Sequence, residues 1–598
     1  MVEIPDINNK IPMMFRAQTA GRCQLQRIDT QRTKNKEKQD VELWASEWIE
    51  KSYPEIPQFG KGVQTRTYKI NWRFVTSGGQ DDGIIRPVIG AYGWPYYPGS
   101  SMKGIFKTAC TDEQKERFCG EEITNKTNKG DWKPGILRFH GGYPSGEFWR
   151  ENLVDIVHPQ QSWQVGMEDN KSGGAFALIS LYQPELIFGI SATEAVDWDE
   201  VWQVWETALS KGIGCRVSTG YGQFNKTSEK PLYSAQLKGQ GMAPKLLNGE
   251  GEFRPNIFRG AIRGHALRLF GGLTGPTQAI YLVETLFGGI QGEGTVGLLA
   301  MSFEEKSLTL DTFGQGSYEV PTYNIEGKLN WFLTQSLPEH QQKALANLIK
   351  ALTQFAMVFG GFGKSWRRAD HRLFYPDYYQ QSDPKALIGC HWQWTGKRSL
   401  ITDVKVRKID KVGAFIDDVR QVAMDWMELQ GVAPSPEDFC QSWREAWHPD
   451  NVQVWGRLAD EAEDSRAVGW FHGPYRRGDR QFRITEGTIY ESHLTGKVSQ
   501  VGRVWHRMYP LVVLKKDPNN PQKPIPKNTP QFLEFFIFFP DRSEDSDELL
   551  HFLNSEQKLF KKLWPLIPLR GSQKRKVRSW GFPPRSTFAR ESEVRSQK

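Results

Sequence analysis

Three short elements recur in the same order along the 598-residue chain, and that order narrows the possible folds to those built by repeating a unit. The first element is "YPGSSMKGIFKTA" (97–109), answered by "FRPNIFRGAIRGHALRLF" (253–270). In the earlier copy Pro98 and Gly99 break the chain, Ser100 and Ser101 are good helix caps, and Met102–Ala109 can run on as a helix. Lys103 and Lys107 are four residues apart, as are Arg259 and Arg263, so each pair shares one helix face. The second element is "RFCG" followed by the strand-like "GILRFHGGYP", matched by "LFGG" followed by "TVGLLAMSFE". The third ends a helical pattern in a glycine-rich basic turn: "ALSKGIGCRVSTGYGQF" (208–224) and "FAMVFGGFGKSWRRADHRLF" (355–374).

A helix start with free N–H groups, hydroxyls and a cation is suited to an anion, and phosphate is the first ligand to consider. On those residues alone an ordinary capped helix with a solvated lysine is the commoner arrangement. The glycine turns carry Arg216, Ser218, Lys364, Arg367 and Arg368 beside backbone that a ligand can approach. "GGFGKS" is not a Walker loop, because the position that requires its first glycine holds Val358. A helix C-cap followed by a solvated turn is the plain alternative for both loops.

The charge balance, 77 Lys and Arg against 69 Asp and Glu, favours polyanionic partners. With it come 22 tryptophans; rings among cations suit unpaired bases, although most such rings belong in cores. Six cysteines without a CxxC pair give no disulfide framework and no structural zinc site. No run nears the roughly 18 apolar residues of a membrane span, and the N-terminus lacks a signal pattern, so a soluble, cytoplasmic protein without membrane attachment is expected.

The length calls for more than one domain. We divide the chain into a first module (1–235), the first part of a second module (236–408), a helical acidic insertion (409–470), the closing part of the second module (471–569) and a basic flexible tail (570–598). "KKDPNNPQKPIPKNTP" (515–530) reads as a proline-rich connector and "QFLEFFIFFPD" as a buried strand.

"YPGSSMKG" resembles the Pro-Gly-Ser-Ser-x-Lys-Gly signature of the RAMP superfamily, the Cas-seven-type backbone subunits of type III CRISPR effectors. "GIGCRVSTGYGQF" is similar to its glycine-rich loop, and the 253–270 stretch with "LFGG" resembles a more divergent branch. The resemblance spans most of 60–390, with 480–570 as a closing part, and the fused layout is similar to a type III-D variant. It implies an α+β fold of two ferredoxin-like (RRM-like) modules in tandem, stacked along a guide RNA. Ser100, Ser101, Lys103, Lys107, Arg216 and Ser218 would then contact crRNA in the first module, and Arg259, Arg263, Lys364, Arg367 and Arg368 in the second. Implied partners are crRNA, complementary target RNA, a large polymerase-like subunit and further backbone subunits. Sequence selection would come from base pairing.

Backbone subunits of this type can cleave the paired target with an aspartate on the loop before the signature helix. That loop is "TSGGQDDGIIRPVIG", and Asp82, with Asp81 beside it, takes the place. A carboxylate there can bind a divalent ion such as magnesium or take the 2′-OH proton, leaving a 2′,3′-cyclic phosphate and a 5′-hydroxyl. A solvated Asp-Asp-Gly turn is the alternative, and with it a purely structural subunit. The second module offers only Glu250 and Glu252 before Pro255 and is expected to bind without cutting. His140, His158, His265 and His493 are rival acid–base groups, suited to a free-standing precursor-RNA endonuclease, but stand in no recognisable pair. Around His158, and again over 494–510, the family pattern suggests a projecting hairpin.

Overall fold

The computed structural model describes residues 40–566, apart from 77, 82–83, 126–127, 158–175, 225–229, 245, 247–249, 290–294, 314–318, 364–389, 436, 462–463, 473–487, 490–491, 496–501, 518–519, 521–523 and 556–558. The chain is α+β, with several small antiparallel sheets. Its first part runs from helix α1 (Asp40–Lys51) through β1 (Gln64–Lys69), α2 (Gly99–Ala109), β2 (Leu137–Pro144), β3 (Glu185–Ala192) and α3 (Trp198–Leu209). The antiparallel sheet has the order β1-β3-β2, and Phe224 adds a single bridge to Ile70 beyond β1. Asp197 starts α3 by accepting the N–H of Asp199 (2.9 Å), and Val201, Trp202, Trp205, Ala208 and Leu209 form its buried stripe.

The next part holds β4 (Tyr233–Met242), α4 (Asn256–Gly271), α5 (Pro276–Phe287), β5 (Leu299–Phe313), β6 (Val320–Leu333), α6 (Glu339–Phe359) and β7 (Cys390–Trp394). Its sheet order, β5-β6-β4-β7, places the first strand between the third and the fourth. After α7 (Val412–Leu429) the plan is repeated once more, by β8 (Gln453–Ala459), α8 (Arg466–His472), β9 (Val504–Lys516), β10 (Pro524–Phe538), α9 (Glu544–Ser555) and β11 (Lys561–Trp564), in the order β9-β10-β8-β11.

This third sheet corrects the expected boundaries. Residues 409–470 are not helical throughout, because β8 lies between α7 and the start of α8. Nor do residues 471–569 complete the second sheet, which β7 closes. The expected connector at 515–530 is largely hairpin: Leu514 pairs with Pro526, and Lys516 with Pro524. Its prolines are tolerated because Pro524 and Pro526 alternate, so the missing N–H groups fall on the side away from β9. Most of "QFRITEGTIYESHL" and the tail lie outside the described residues.

Two kinds of joint link these parts. The second and third share one apolar core, in which α6 packs on α7 and on β9, and Phe355, Phe359, Trp447, Trp505 and Phe535 meet. Arg507 of β9 is buried there and donates to the carbonyls of Trp392 (2.8 Å) and Met357 (3.3 Å). The first part keeps a separate core and joins the second through buried ions. Arg73 Nε donates to Glu252 Oε1 (2.6 Å), as does Trp72 Nε1 (3.0 Å). Arg254 Nε donates to Glu252 Oε2 (3.0 Å), and its Nη1 lies 2.7 Å from Asp155 Oδ1. Tyr221 completes the set by donating to Asp155 Oδ2 (2.5 Å). The side chains of Arg73 and Asp155 are 0% exposed and that of Glu252 4%, so the two positive and two negative charges must compensate each other.

In the third part Glu534 has the same character. It accepts from Arg457 Nε (2.6 Å), Ser465 Oγ (2.7 Å) and Ala467 N (2.9 Å), and lies 3.0 Å from His506 Nε2. Burial alone would raise its pKa, but hydrogen bonds from His506, Ser465 and the Ala467 N–H hold it down, from 4.5 to about 2.

Two outcomes follow. Glu252→Ala leaves two buried arginines short of a counter-charge and should cost about 3–5 kcal/mol, read as a fall in the urea midpoint of the first transition. Because the folded value of Glu534 lies below its unfolded one, its stabilisation is complete above pH 4.5 and is lost as pH falls toward 2. Urea midpoints should therefore drop across that window in the wild type, with a shallower drop in Glu534→Gln.

Candidate nucleic-acid interface

The start of α2 is built by stitching an aromatic loop onto β2. Tyr97 and Gly142 exchange backbone hydrogen bonds (2.9 Å each), and Trp94 is buried with its Nε1 donating to Tyr53 O (2.8 Å). Tyr96 Oη donates to His140 O (2.9 Å) and accepts the Gly99 N–H (3.2 Å). Gly99 passes so close to β2 that a Cβ on it would stand 2.1 Å from Phe139 O, which explains the glycine. These rings hold the loop in place and do not form a platform for bases.

The cap is Pro98, with φ −60° and ψ 140°, and not Ser100 or Ser101 as expected. Proline fixes the required φ, and Gly99 is already helical. Ser100 and Ser101 are the second and third helical residues, both exposed. The first intrahelical bond runs from Met102 N to Pro98 O (2.9 Å), so the N–H groups of both serines point out along the helix axis. Ser100, exposed Lys103 and half-buried Lys107 follow one face, while Met102 and Phe106 anchor the opposite one. Hydroxyls, amides and ammonium thus converge where the helix dipole is positive. Cys119 of "RFCG" packs in the same core as Met102 and Phe106, and neighbouring Cys110, with Lys103 and Lys107, holds its thiol below the usual range.

The counterpart, α4, carries Arg259 and Arg263 on one face as expected, but in different surroundings. Arg259 donates to Phe287 O, closing the C-terminus of α5, and lies over the Phe287 ring (5.7 Å). Burial, then Arg263 and Arg216, push the Arg259 guanidinium down to about 10. Arg263 is also lowered by burial, with Glu284 opposing.

Arg216 comes from the first part of the chain. It takes a left-handed conformation (φ 60°) and opens the 3-10 turn Val217–Thr219, which holds half-buried Ser218. Thr219 fixes this turn through its N–H (2.9 Å) and hydroxyl (2.7 Å), both donated to Arg216 O. The turn packs on β5, and a Cβ on Gly220 would stand 4.0 Å from both Met301 and Pro255. Residues that the sequence assigned to two separate sites therefore meet at one junction. Pro255 also lines a cavity of ≈ 220 Å³ walled by Trp72, Tyr182, Phe253 and Phe303, with Lys69, Asn71 and Glu305 among its polar groups.

Lys364, Arg367, Arg368, Asp82 and His158 lie outside the described residues, as do most of the first expected hairpin and residues 496–501 of the second. Residues 504–510 of the second hairpin are instead part of β9. Asp81 ends the two-residue strand Gln80–Asp81, paired with Ile84. Glu252 is part of the buried ion network, so it is not a free carboxylate before α4; Glu250 is exposed. His140 Nε2 is 2.8 Å from Ser191 Oγ, and His265 is buried against Phe355 and Trp505. His493 lies 2.7 Å from Asp545 and 3.1 Å from Ser543 Oγ, an order that resembles a hydrolase triad. The Ser543 hydroxyl, however, is engaged by Asp541 and caps Ser546 N (3.2 Å), so the cluster secures the start of α9. Among the described residues no group of three or more His, Cys, Asp or Glu could hold a metal ion, and no helix is long and apolar enough to cross a membrane. The sequence reading missed Arg73, Asp155, Tyr221 and Arg254, whose partners lie far away in the chain.

No family model matches the chain, and no curated protein matches it. Among solved structures it is similar to a chain of the type III-B Cmr-beta complex bound to cognate target RNA, at 17% identity and a TM-score of 0.21, covering 27% of this chain and 56% of that one. It is also similar to Cmr1 from Pyrococcus furiosus in its apo form, at 13% identity and a TM-score of 0.27, covering 56% of this chain and 99% of that one. A third similarity is to a chain of Cmr-beta with target RNA and AMPPnP, at 10% identity and a TM-score of 0.27, covering 55% and 99%.

If α2 takes a backbone phosphate, Lys103→Ala should weaken single-stranded RNA binding at every salt concentration. The slope of log affinity against log salt should shrink by about 0.7, the share of one phosphate contact, in a fluorescence anisotropy titration.

Proposed function

We propose that this chain is a crRNA-binding backbone subunit of a type III CRISPR effector complex, with target-RNA cleavage at Asp82. The observation that carries the binding role is the exposed start of α2, where Ser100, Ser101 and Lys103 present two hydroxyls, two axial N–H groups and an ammonium. The strand orders support reading the parts from 233 to 394 and from 453 to 564 as ferredoxin-like, with β1-β3-β2 as a less complete version. Guide RNA, complementary target RNA, a large polymerase-like subunit and further backbone subunits are the partners in this reading.

The chemistry is proposed for the loop at 76–90. Its carboxylate would take the proton of a target 2′-OH, so that this oxygen attacks the adjacent phosphorus and expels the 5′-oxygen. A divalent ion at Asp82, magnesium in this reading, would supply charge neutralisation on the phosphate. The second part is assigned no cleavage, because Glu252, the nearest carboxylate before α4, is committed to Arg73 and Arg254. The reading without cleavage keeps the same RNA contacts and makes the whole chain a clamp.

Asp82→Ala in the assembled complex should abolish one product band from an end-labelled complementary RNA, a band that in the wild type requires magnesium. Unchanged bands would assign the chain the clamp role alone. Cutting of precursor RNA by the isolated protein through His140 or His158 would replace the proposal by a processing endonuclease.

A further inference from the structure

The ≈ 220 Å³ cavity beside Pro255 is walled by both parts that the ionic joint brings together: Trp72 and Tyr182 from the first, Phe253 and Phe303 from the second. It is smaller than the ~300–1,000 Å³ of pockets for drug-sized molecules, so it suits a single ring system. The walls are anchored. Trp72 Nε1 donates to Glu252 (3.0 Å), and the Phe253 ring meets those of Phe303 (5.7 Å) and Tyr323 (5.1 Å). Gln183, also in the lining, takes a left-handed backbone (φ 44°) and donates its N–H to Trp72 O (2.5 Å). A conformation that residues with a side chain seldom adopt, tied down in this way, fixes that side of the cavity.

The polar groups of the lining define the ligand. Asn71 Oδ1 is buried and accepts no hydrogen bond among the described residues, so it calls for a donor. Glu305 supplies a carboxylate as a second acceptor, and Gln183 an amide that can also donate. Lys69 and Glu305 leave the lining without excess charge, unlike a phosphate site. A flat, neutral group with amine donors and ring acceptors along its edge matches this set, whereas an indole or phenol side chain offers one polar atom. We propose that the cavity takes one nucleobase bearing an exocyclic amine, with its ring against the aromatic walls and the amine donating to Asn71 Oδ1. The base comes from a nucleotide unstacked from bound RNA or from a free nucleotide. The first source rests on the RNA-binding reading and adds to it a place where the protein itself, and not base pairing, reads a base.

The test uses the full-length protein. Fluorescence anisotropy compares oligouridylate with the same oligomer carrying one adenine, cytosine or guanine, and calorimetry titrates AMP, CMP, GMP and UMP. In the wild type an amine-bearing base should tighten RNA binding about tenfold over oligouridylate. Asn71→Leu, which keeps the volume and removes the acceptor, should abolish that difference. Leu308→Trp, at a half-buried position of β5 in the lining, fills the cavity and should abolish it too, with the melting midpoint showing that each variant is folded. Tighter binding of an amine-bearing nucleotide than of UMP, lost in both variants while RNA shows no preference, would support the cavity as a free-nucleotide site. Equal affinity for all oligomers with no nucleotide bound would overturn the proposal, leave the cavity to a partner's side chain, and keep the α2 contact and the guide-RNA reading. A preference that survives in both variants would overturn it as well, since the base would then be read elsewhere. A wild-type protein that binds neither RNA nor nucleotide removes the proposal and the RNA-binding reading together.

Discussion

The four-charge cluster of Arg73, Glu252, Arg254 and Asp155 is the constraint on which the arrangement of the first two parts depends. Each of these ions would be expensive alone in the interior, and only the full set cancels. The contacts are directional: Arg73 also donates to Asn152 O and Ser180 Oγ, both at 2.9 Å, so its plane is fixed from both sides. An apolar joint of the same area would tolerate sliding, as ion pairs with fixed donors do not. That rigidity is what brings the glycine turn at 217–219 onto β5 and Arg216 toward α4.

The joint between the second and third parts works by other means. There the helices α6 and α7 fill the space between sheets with aromatic and aliphatic side chains; buried Arg507 satisfies backbone carbonyls rather than a carboxylate, and Arg268 pairs with buried Glu445 (2.6 Å). The second and third parts thus share one apolar core, and the first part is docked on the second through ions. Cationic side chains gather at the ionic joint, where the chain's charge can be presented to solvent without breaking into a core.

Much of this could be read from the residues, and the failures have physical causes. The helix after "YPGSS", the spacing that puts Lys103 with Lys107 and Arg259 with Arg263 on one face, the glycine turns and the buried strand at "QFLEFFIFF" are all local patterns. The cap shifted from serine to Pro98 because β2 presses on the next residue, a contact made between positions some forty residues apart. Glu252 looked like a loop carboxylate because its partner Arg73 lies 179 residues away. The third sheet was hidden for a different reason: a proline-rich stretch reads as a connector unless one knows which edge of the strand is left open. The meeting of Arg216 with Arg259 depends on tertiary docking, which no spacing encodes.

That open edge has its own consequence. From 524 to 530, β10 pairs only with β9, while β8 begins its pairing at Phe532. An outstretched ribbon of this length, with Leu514 and Ile525 exposed, would ordinarily offer its free backbone groups to any extended chain nearby. Pro524 and Pro526 each remove a donor from that edge, and Lys515, Lys516 and Lys527 surround it with like charge. The arm can therefore stand away from the body at high protein concentration without recruiting strands from its neighbours.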